Sequence, residues 1–224
     1  MGRTPKTDWE LPVHFFRDNP IRDNLTTGQL MWFQMKTVFD TDVGNMISEY
    51  VLPTFDEARK ETMQLEKEAI EHLSTPEEVV RFMRKQIEIP NRDFLCRKTV
   101  SMGGELWSLI IDKLMKNGID TFIECAVLIL SRAEEVYIDR IAVEFPQFRN
   151  SYARAEATVL LAYRGRKDAL KSIYDEYTEL SRSKDPEIYR LSQTVLYSIY
   201  MLTGKIEDMK IDTDQFRRLT EERG

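Results

Sequence analysis

From Asn91 to Gly204 the chain is cut into helix-length segments by start and stop residues that recur at a nearly constant interval. Candidate first-helix starts at Asn91, Asp120, Ser151 and Asp185 lie 29, 31 and 34 residues apart, the length of a helix, a turn, a second helix and a link. The links are short, so sequential helices must be antiparallel neighbours. Alternating β-branched runs and Asn-Gly hairpins flanked by alternation, the marks of strands, are absent from the sequence. The expected fold is therefore all-α, an α-α superhelix of antiparallel helix pairs. An irregular multi-helix bundle is the alternative.

The punctuation is local chemistry. Thr75-Pro76-Glu77-Glu78 combines a cap, proline at the first helical position and glutamate three residues after the cap, and predicts a helix from Pro76 to about Ile87. Pro90 is expected to end that segment, with Asn91 or Asp93 starting the next through Val100. Gly103-Gly104 turns into Glu105–Lys116, and Asn117-Gly118, residue types that tolerate a left-handed backbone, stops it. Asp120 caps a nearly all-apolar helix to Leu130, Ser131 and Glu134 have capping-box spacing before a helix broken by Pro146, and Asn150 or Ser151 restarts helix to Tyr163. Asp168 opens a stripe of Leu170, Ile173, Tyr174, Tyr177 and Leu180. Asp185-Pro186 caps a last long helix that ends at Gly204.

Ahead of this region the pattern is less regular. Residues 1–25, with Pro5, Pro12 and Pro20 among aromatics, read as an extended arm; residues 26–90 form an N-terminal helical cap of the single helical domain 26–224, and residues 205–224 a C-terminal tail helix. Within the cap, helices are expected after Thr26–Gln29, over about Val43–Leu52, and from the Thr54–Glu57 capping-box spacing to Leu73. The last is heavily charged, with a thin stripe of Phe55, Ala58, Leu65, Ala69 and Leu73 in which Thr62 fills one core position. So narrow a stripe suits a coiled-coil-like contact, and either a solvated outer helix or a dimer seam would produce it.

Charge narrows the function. Lys and Arg number 32 against 38 Asp and Glu, a net charge of −6. Nucleic-acid affinity comes mainly from cationic side chains neutralising phosphates, so nucleic acid is possible as a partner but disfavoured, and a protein partner or self-association is expected. The longest strictly apolar run, Cys125–Leu130, is six residues, against roughly 20 for a membrane span. The start of the chain lacks an apolar segment behind a basic one, so the reading is cytoplasmic, with no membrane partner. Cys96 and Cys125 fit no disulfide or CxxC pattern and read as buried thiols.

The segment Tyr152-Ala153-Arg154-Ala155-Glu156-Ala157 through Tyr163-Arg164-Gly165, then Ala169-Leu170, then Asp185-Pro186-Glu187-Ile188-Tyr189-Arg190 resembles HEAT-like repeats. Such repeats carry small residues on the first helix, a glycine stop, an amphipathic second helix and an Asp-Pro or Asp before the next unit. The resemblance covers about residues 91–204. Leu191-Ser192 and Thr194 stand where alanines are usual, and the first unit has only Cys96 and Thr99 as small residues. It implies a curved scaffold that binds partners along one surface, in many relatives without enzymatic activity. One branch of HEAT-like proteins removes alkylated bases from DNA; the aromatic and acidic clusters of this chain do not match that branch's site residue by residue, and none of its site residues is carried over.

Chemistry-bearing motifs are sparse. Gly-rich phosphate loops and nucleophile elbows are absent; Glu68 and His72 share a helix face at i, i+4, without the third or fourth ligand a metal needs. No catalytic residue, metal or cofactor is assigned, and an enzyme is not the favoured reading. One charge anomaly stands out. Arg149, Arg154, Arg164, Arg166, Lys167 and Lys171 face only Glu156 and Asp168 within 149–171, and eight of nine tyrosines lie between Tyr137 and Tyr200. Tyr and Arg dominate interface hot spots, and interleaved with aromatics they also suit single-stranded nucleic acid. Alternatively the tyrosines are core and the arginines pair with glutamates of neighbouring repeats. If a binding site exists, the candidates are Arg149, Arg154, Tyr163, Arg164, Arg166, Lys167, Tyr189 and Arg190. Reversing Arg164 and Arg166 to Glu is then expected to weaken partner capture at unchanged stability. The alternative function is a nucleic-acid-binding or base-processing HEAT-like protein using the 149–171 patch.

Overall fold

The structure is a computed structural model and describes residues 27–39 and 55–204. The expected arm (1–25), the helix over Val43–Leu52 and the tail 205–224 lie outside the described residues. Within them the chain is all-helical: α1 Thr27–Thr37, α2 Glu57–Glu71, α3 Pro76–Met83, α4 Ile89–Thr99, α5 Gly104–Leu114, α6 Asp120–Leu130, α7 Glu135–Glu144, α8 Ser151–Tyr163, α9 Leu170–Ser181 and α10 Pro186–Thr203, with no strand among the described residues.

Several starts form as their sequence dictates. Thr75 and Glu78 close a reciprocal capping box at α3, the Asn150 side chain accepts from the Ala153 N–H at 3.0 Å to open α8, and Asp185 accepts from Glu187 at 3.0 Å to open α10. Other punctuation works differently. Pro90 does not end a segment: it sits in the first turn of α4, where a missing N–H costs nothing, and α3 already stops at Met83. Asn91 and Asp93 are then not caps but buried residues of α4. Ser131 terminates α6, its hydroxyl donating to Leu128 O at 2.6 Å, so the expected capping box with Glu134 does not form. At Asn117-Gly118 neither residue has positive φ; Asn117 acts through its side chain, which accepts the Ile119 N–H at 2.9 Å.

The charged helix α2 is where residue spacing misled most. It is capped by Asp56, which accepts from Arg59 N–H at 2.8 Å, rather than by Thr54, which lies outside the described residues. Its buried residues are Met63 and Ile70, while Ala58, Thr62, Leu65 and Ala69 are exposed. The reason is the neighbour. The Asn91 amide of α4 donates to Met63 O at 2.9 Å and to the Glu66 carboxylate at 2.7 Å, so the face that bears Met63, Glu66 and Ile70 turns inward.

Packing follows two rows. Helices α2, α4, α6, α8 and α10 each meet the next in one row; α3 meets α5 and α5 meets α7 in the other; α5 with α6, α7 with α8 and α9 with α10 join the rows. The core runs along the seam between them. On α6, Phe122, Ile123, Cys125, Ala126, Val127, Ile129 and Leu130 are all fully buried, as expected for a helix covered on most sides. Burial of each large side chain there contributes roughly 1.5–3 kcal/mol.

Helix α1 breaks the local order. Its main neighbours are α8, α10 and α6, far along the chain, rather than α2. Met31, Trp32, Met35 and Val38 are buried there, and the Trp32 ring meets the rings of Tyr163 and Tyr197 edge-on at 5.4 and 6.1 Å. Gly28 permits the close approach: a Cβ would lie 2.7 Å from Thr194 Cγ2 and 3.2 Å from Thr194 Cα, and the Gly28 N–H donates to Thr194 Oγ1 at 3.3 Å.

Candidate interaction surface

The residues singled out between 149 and 190 divide into two groups. Arg154 is buried. Its Nε lies 2.8 Å from each oxygen of Glu176, Nη1 donates to Phe148 O at 3.0 Å, and Nη2 reaches Glu179 at 3.1 Å and Ser151 Oγ at 3.3 Å. Burial raises the Glu176 carboxyl above its ordinary pKa even though the Arg154 hydrogen bond and charge oppose it. This pair clamps α8 to α9.

Arg164 donates through Nη1 to Ser131 O at 3.2 Å and Ala133 O at 2.6 Å, and pairs with Glu135 through Nη2. It thereby satisfies carbonyls left over at the end of α6. Arg166 lies 2.7 Å from Asp139 and holds Asp168 through Nε at 2.8 Å and Nη2 at 2.5 Å. Those hydrogen bonds keep the Asp168 carboxyl below and the Arg166 guanidinium above their ordinary values. Reversing Arg164 and Arg166 would break these bridges, so that pair of changes probes stability as well as capture.

Tyr189 is 2% exposed and belongs to the interior. Tyr163 is half-buried, donates to Met35 O at 3.2 Å and has Lys36 Nζ 5.3 Å from its ring centroid, so it serves the seat of α1. Arg149, Lys167 and Arg190 alone of the eight candidates are exposed. The structure does not bring the eight onto one surface. Arg164 and Arg166 are spent on links to the preceding helix pair and Arg154 on a link within its own, and Tyr189, Tyr197 and Tyr200 are core.

A second polar line was not singled out from the sequence. Arg92 on α4 pairs with Glu124 on α6, and the Tyr152 hydroxyl on α8 donates to Glu124 Oε1 at 3.0 Å. Arg92 Nε also donates to Ile87 O at 2.8 Å. Burial, then the charges of Glu156 and Glu124, push the Tyr152 hydroxyl pKa well up. The available signal was the spacing: Arg92, Glu124 and Tyr152 fall 32 and 28 residues apart, the interval of the helix starts. Beside this line Asp93 is 8% exposed with Oδ1 unpartnered, and burial, opposed by Arg97 and Arg92, raises its pKa to about 6.

Cys96 and Cys125 are free and fully buried, with the Cys96 thiol 3.9 Å from Cys125 O. Burial pushes the Cys96 thiol well above its ordinary pKa, which suppresses the reactive thiolate. Glu68 and His72 are both exposed, and Glu68 accepts from Gln64 at 2.7 Å; among the described residues no group of three or more His, Cys, Asp or Glu is placed to hold a metal ion. No described helix is long and apolar enough to cross a membrane. No protein-family model, curated protein or solved structure matches the chain.

Proposed function

We propose that this chain is a HEAT-like α-α superhelix that acts as a non-catalytic protein-protein interaction scaffold. The observation that carries the reading is the spacing of its bridges. Hydrogen bonds and ion pairs recur at separations of about one helix pair: Arg59–Glu88 at 29, Asn91–Met63 at 28, Arg92–Glu124 at 32, Arg140–Asp112 at 28, Tyr152–Glu124 at 28 and Arg164–Ala133 at 31 residues. Nearest-neighbour bonding of this kind is how a repeat array holds itself together. Its polar side chains link repeats rather than converge on a reaction centre.

On this reading the solvent-facing cations Arg149, Lys167 and Arg190 are what remains of the candidate binding region, and the two free buried thiols fit a reducing, cytoplasmic setting. The nucleic-acid alternative needs free guanidinium groups along 149–171. Arg154, Arg164 and Arg166 are each committed to carboxylates, which lowers the charge available for phosphates.

The test is affinity capture from host lysate with and without nuclease, using the wild-type chain and an Arg149→Glu/Lys167→Glu/Arg190→Glu variant. A specific protein retained after nuclease, and lost by the variant, supports the scaffold and places its contact. Retention of nuclease-sensitive nucleic acid alone overturns it.

A further inference from the structure

The second helix of each pair ends on an exposed cation that the fold does not use. Arg84 is the C-cap of α3, Lys116 follows the C-cap of α5, Arg149 follows the short turn Phe145–Gln147 and Phe148 beyond α7, and Arg182 is the C-cap of α9. They stand 32, 33 and 33 residues apart. All four are exposed, and none of their side chains forms an ion pair or hydrogen bond among the described residues. Carboxylates nearby are held by other cations: Glu88 by Arg59 at 2.6 Å, Glu144 by Arg140 at 2.9 Å and Glu179 by Arg154 at 3.1 Å. The helix dipole favours cations at the ends of α3, α5 and α9, but Arg149 lies past the extended residue Phe148 and still keeps the interval.

Bonding between the links sets the four in one line. Arg92 ties the first link to the next pair: its Nε donates to Ile87 O at 2.8 Å while Nη1 pairs with Glu124 in α6. The Arg149 N–H donates to Met115 O at 3.2 Å, which lays the third link on the second. Arg154 then joins Phe148 O, at 3.0 Å, to Glu179 near the end of α9, at 3.1 Å. Neighbouring links are therefore about one helix spacing apart, roughly 8–10 Å, and the cations make a strip about 30 Å long on one edge of the molecule.

Its sign calls for a polyanion, and its width selects which. Helices α3, α5 and α7 have 8, 11 and 10 residues, so they are only about 12–17 Å long, and their opposite ends carry exposed Glu77, Glu105 and Glu134. Asp120 and Glu187, exposed in the first turns of α6 and α10, border the strip on the side of the other row. A nucleic-acid duplex, whose major groove alone is about 12 Å across, would overlap these carboxylates. A single strand would lack a stacking platform, because Phe82, Phe145 and Phe148, the aromatics nearest these cations in the chain, are buried. A second copy offers carboxylates that are largely engaged, Glu78 in its capping box, Glu135 with Arg164 and Asp168 with Arg166. An extended polypeptide is narrow and advances about 3.3 Å per residue, so every third side chain meets the next link. We propose that the edge bearing Arg84, Lys116, Arg149 and Arg182 is a docking track for an extended acidic segment of another protein, with Asp or Glu at about every third position. This deepens the scaffold reading and rests on it.

The probe is a fluorescent peptide of about twelve residues with Asp at every third position of a Gly-Ser background. A peptide of the same composition with its Asp residues consecutive, and single- and double-stranded DNA oligonucleotides, accompany it. Fluorescence anisotropy with the full chain is expected to show saturable binding of the periodic peptide, several-fold tighter than of the block peptide and falling as salt rises from about 50 to 200 mM. Arg84→Gln/Lys116→Gln/Arg182→Gln is expected to weaken it about fivefold or more, whereas Lys60→Gln/Lys67→Gln/Lys171→Gln, of equal net charge, leaves it unchanged. Circular dichroism is expected to be the same for both variants, since the three track side chains hold nothing in the fold. No peptide binding, equal binding of the block peptide, equal loss in the two variants, or DNA binding tighter than the peptide's would each overturn the assignment. So would self-association in sedimentation that the track variant abolishes. Lysate capture reads the scaffold separately: if the wild type retains a specific protein after nuclease but does not bind the peptide, the track falls and the scaffold stands.

Discussion

Arg154 shows how one residue changes meaning between sequence and structure. In sequence it is one of six cations in a short span; in the folded chain it is a buried cation with Glu176 lying 2.8 Å from its Nε. Truncating it leaves a buried carboxylate without its counter-charge, so Arg154→Ala is expected to destabilise by about 3–5 kcal/mol in denaturant unfolding. Arg154→Met with Glu176→Leu, which removes both charges, is expected to recover much of that loss. Asp93 poses the opposite problem, a buried carboxyl with its pKa raised to about 6 from 3.8. Between those values the native state holds a proton that the unfolded chain releases, so stability is greatest below about pH 4 from this group and declines as pH rises through 6. Asp93→Asn is expected to flatten that decline and to stabilise the protein at pH 7–8 by about 2–3 kcal/mol. Unfolding midpoints across pH 4 to 8 for both proteins check the sign.

At the scale of single helices, α1 is the element least connected to its neighbours in sequence and most dependent on contact geometry. Gly28→Ala would drive a methyl against Thr194, and is expected to cost about 1–3 kcal/mol. Thr194→Ser, which removes the nearest atom, Cγ2, is expected to restore part of it in the double variant; additive losses would show that the collision at 2.7 Å is not the cause. Helix existence was largely readable. Pro76 with Thr75 and Glu78, Asn150 and Asp185 state their starts through local hydrogen bonding, and the apolar density of 122–130 announces a buried helix. Helix α2 was readable as a helix but not in its orientation. Two stripes, one through Leu65 and one through Met63 and Ile70, are compatible with its 3.6-residue period, and only the position of Asn91 on α4 selects between them. Likewise Ser131 and Glu134 have the spacing of a cap, yet the α6 helix continues until the Ser131 hydroxyl turns back to Leu128.

Over the whole molecule, bonding between neighbouring helix pairs predicts graded rather than uniform protection. Native-state hydrogen exchange is expected to find the amides of α6, buried on nearly every side, opening only with global unfolding, and those of α2, whose main contact is α4 alone, opening at a lower free energy. Uniform protection of the two helices would contradict the neighbour-by-neighbour picture. By itself the amino-acid sequence determined the all-helical class, most helix starts and the near-constant interval between them, because caps, proline positions and apolar periodicity act within a few residues. It also held the bridge spacing in latent form, since Arg92, Glu124 and Tyr152 already stand one helix pair apart. Only the tertiary structure decided that Arg154, Arg164 and Arg166 bind the protein's own carboxylates, that Tyr189 is interior, that α1 lies on α8 and α10, and that the seam of α2 faces outward. Each of those depends on which surfaces meet across long separations, and a charge or an apolar stripe carries no record of its partner until packing supplies one.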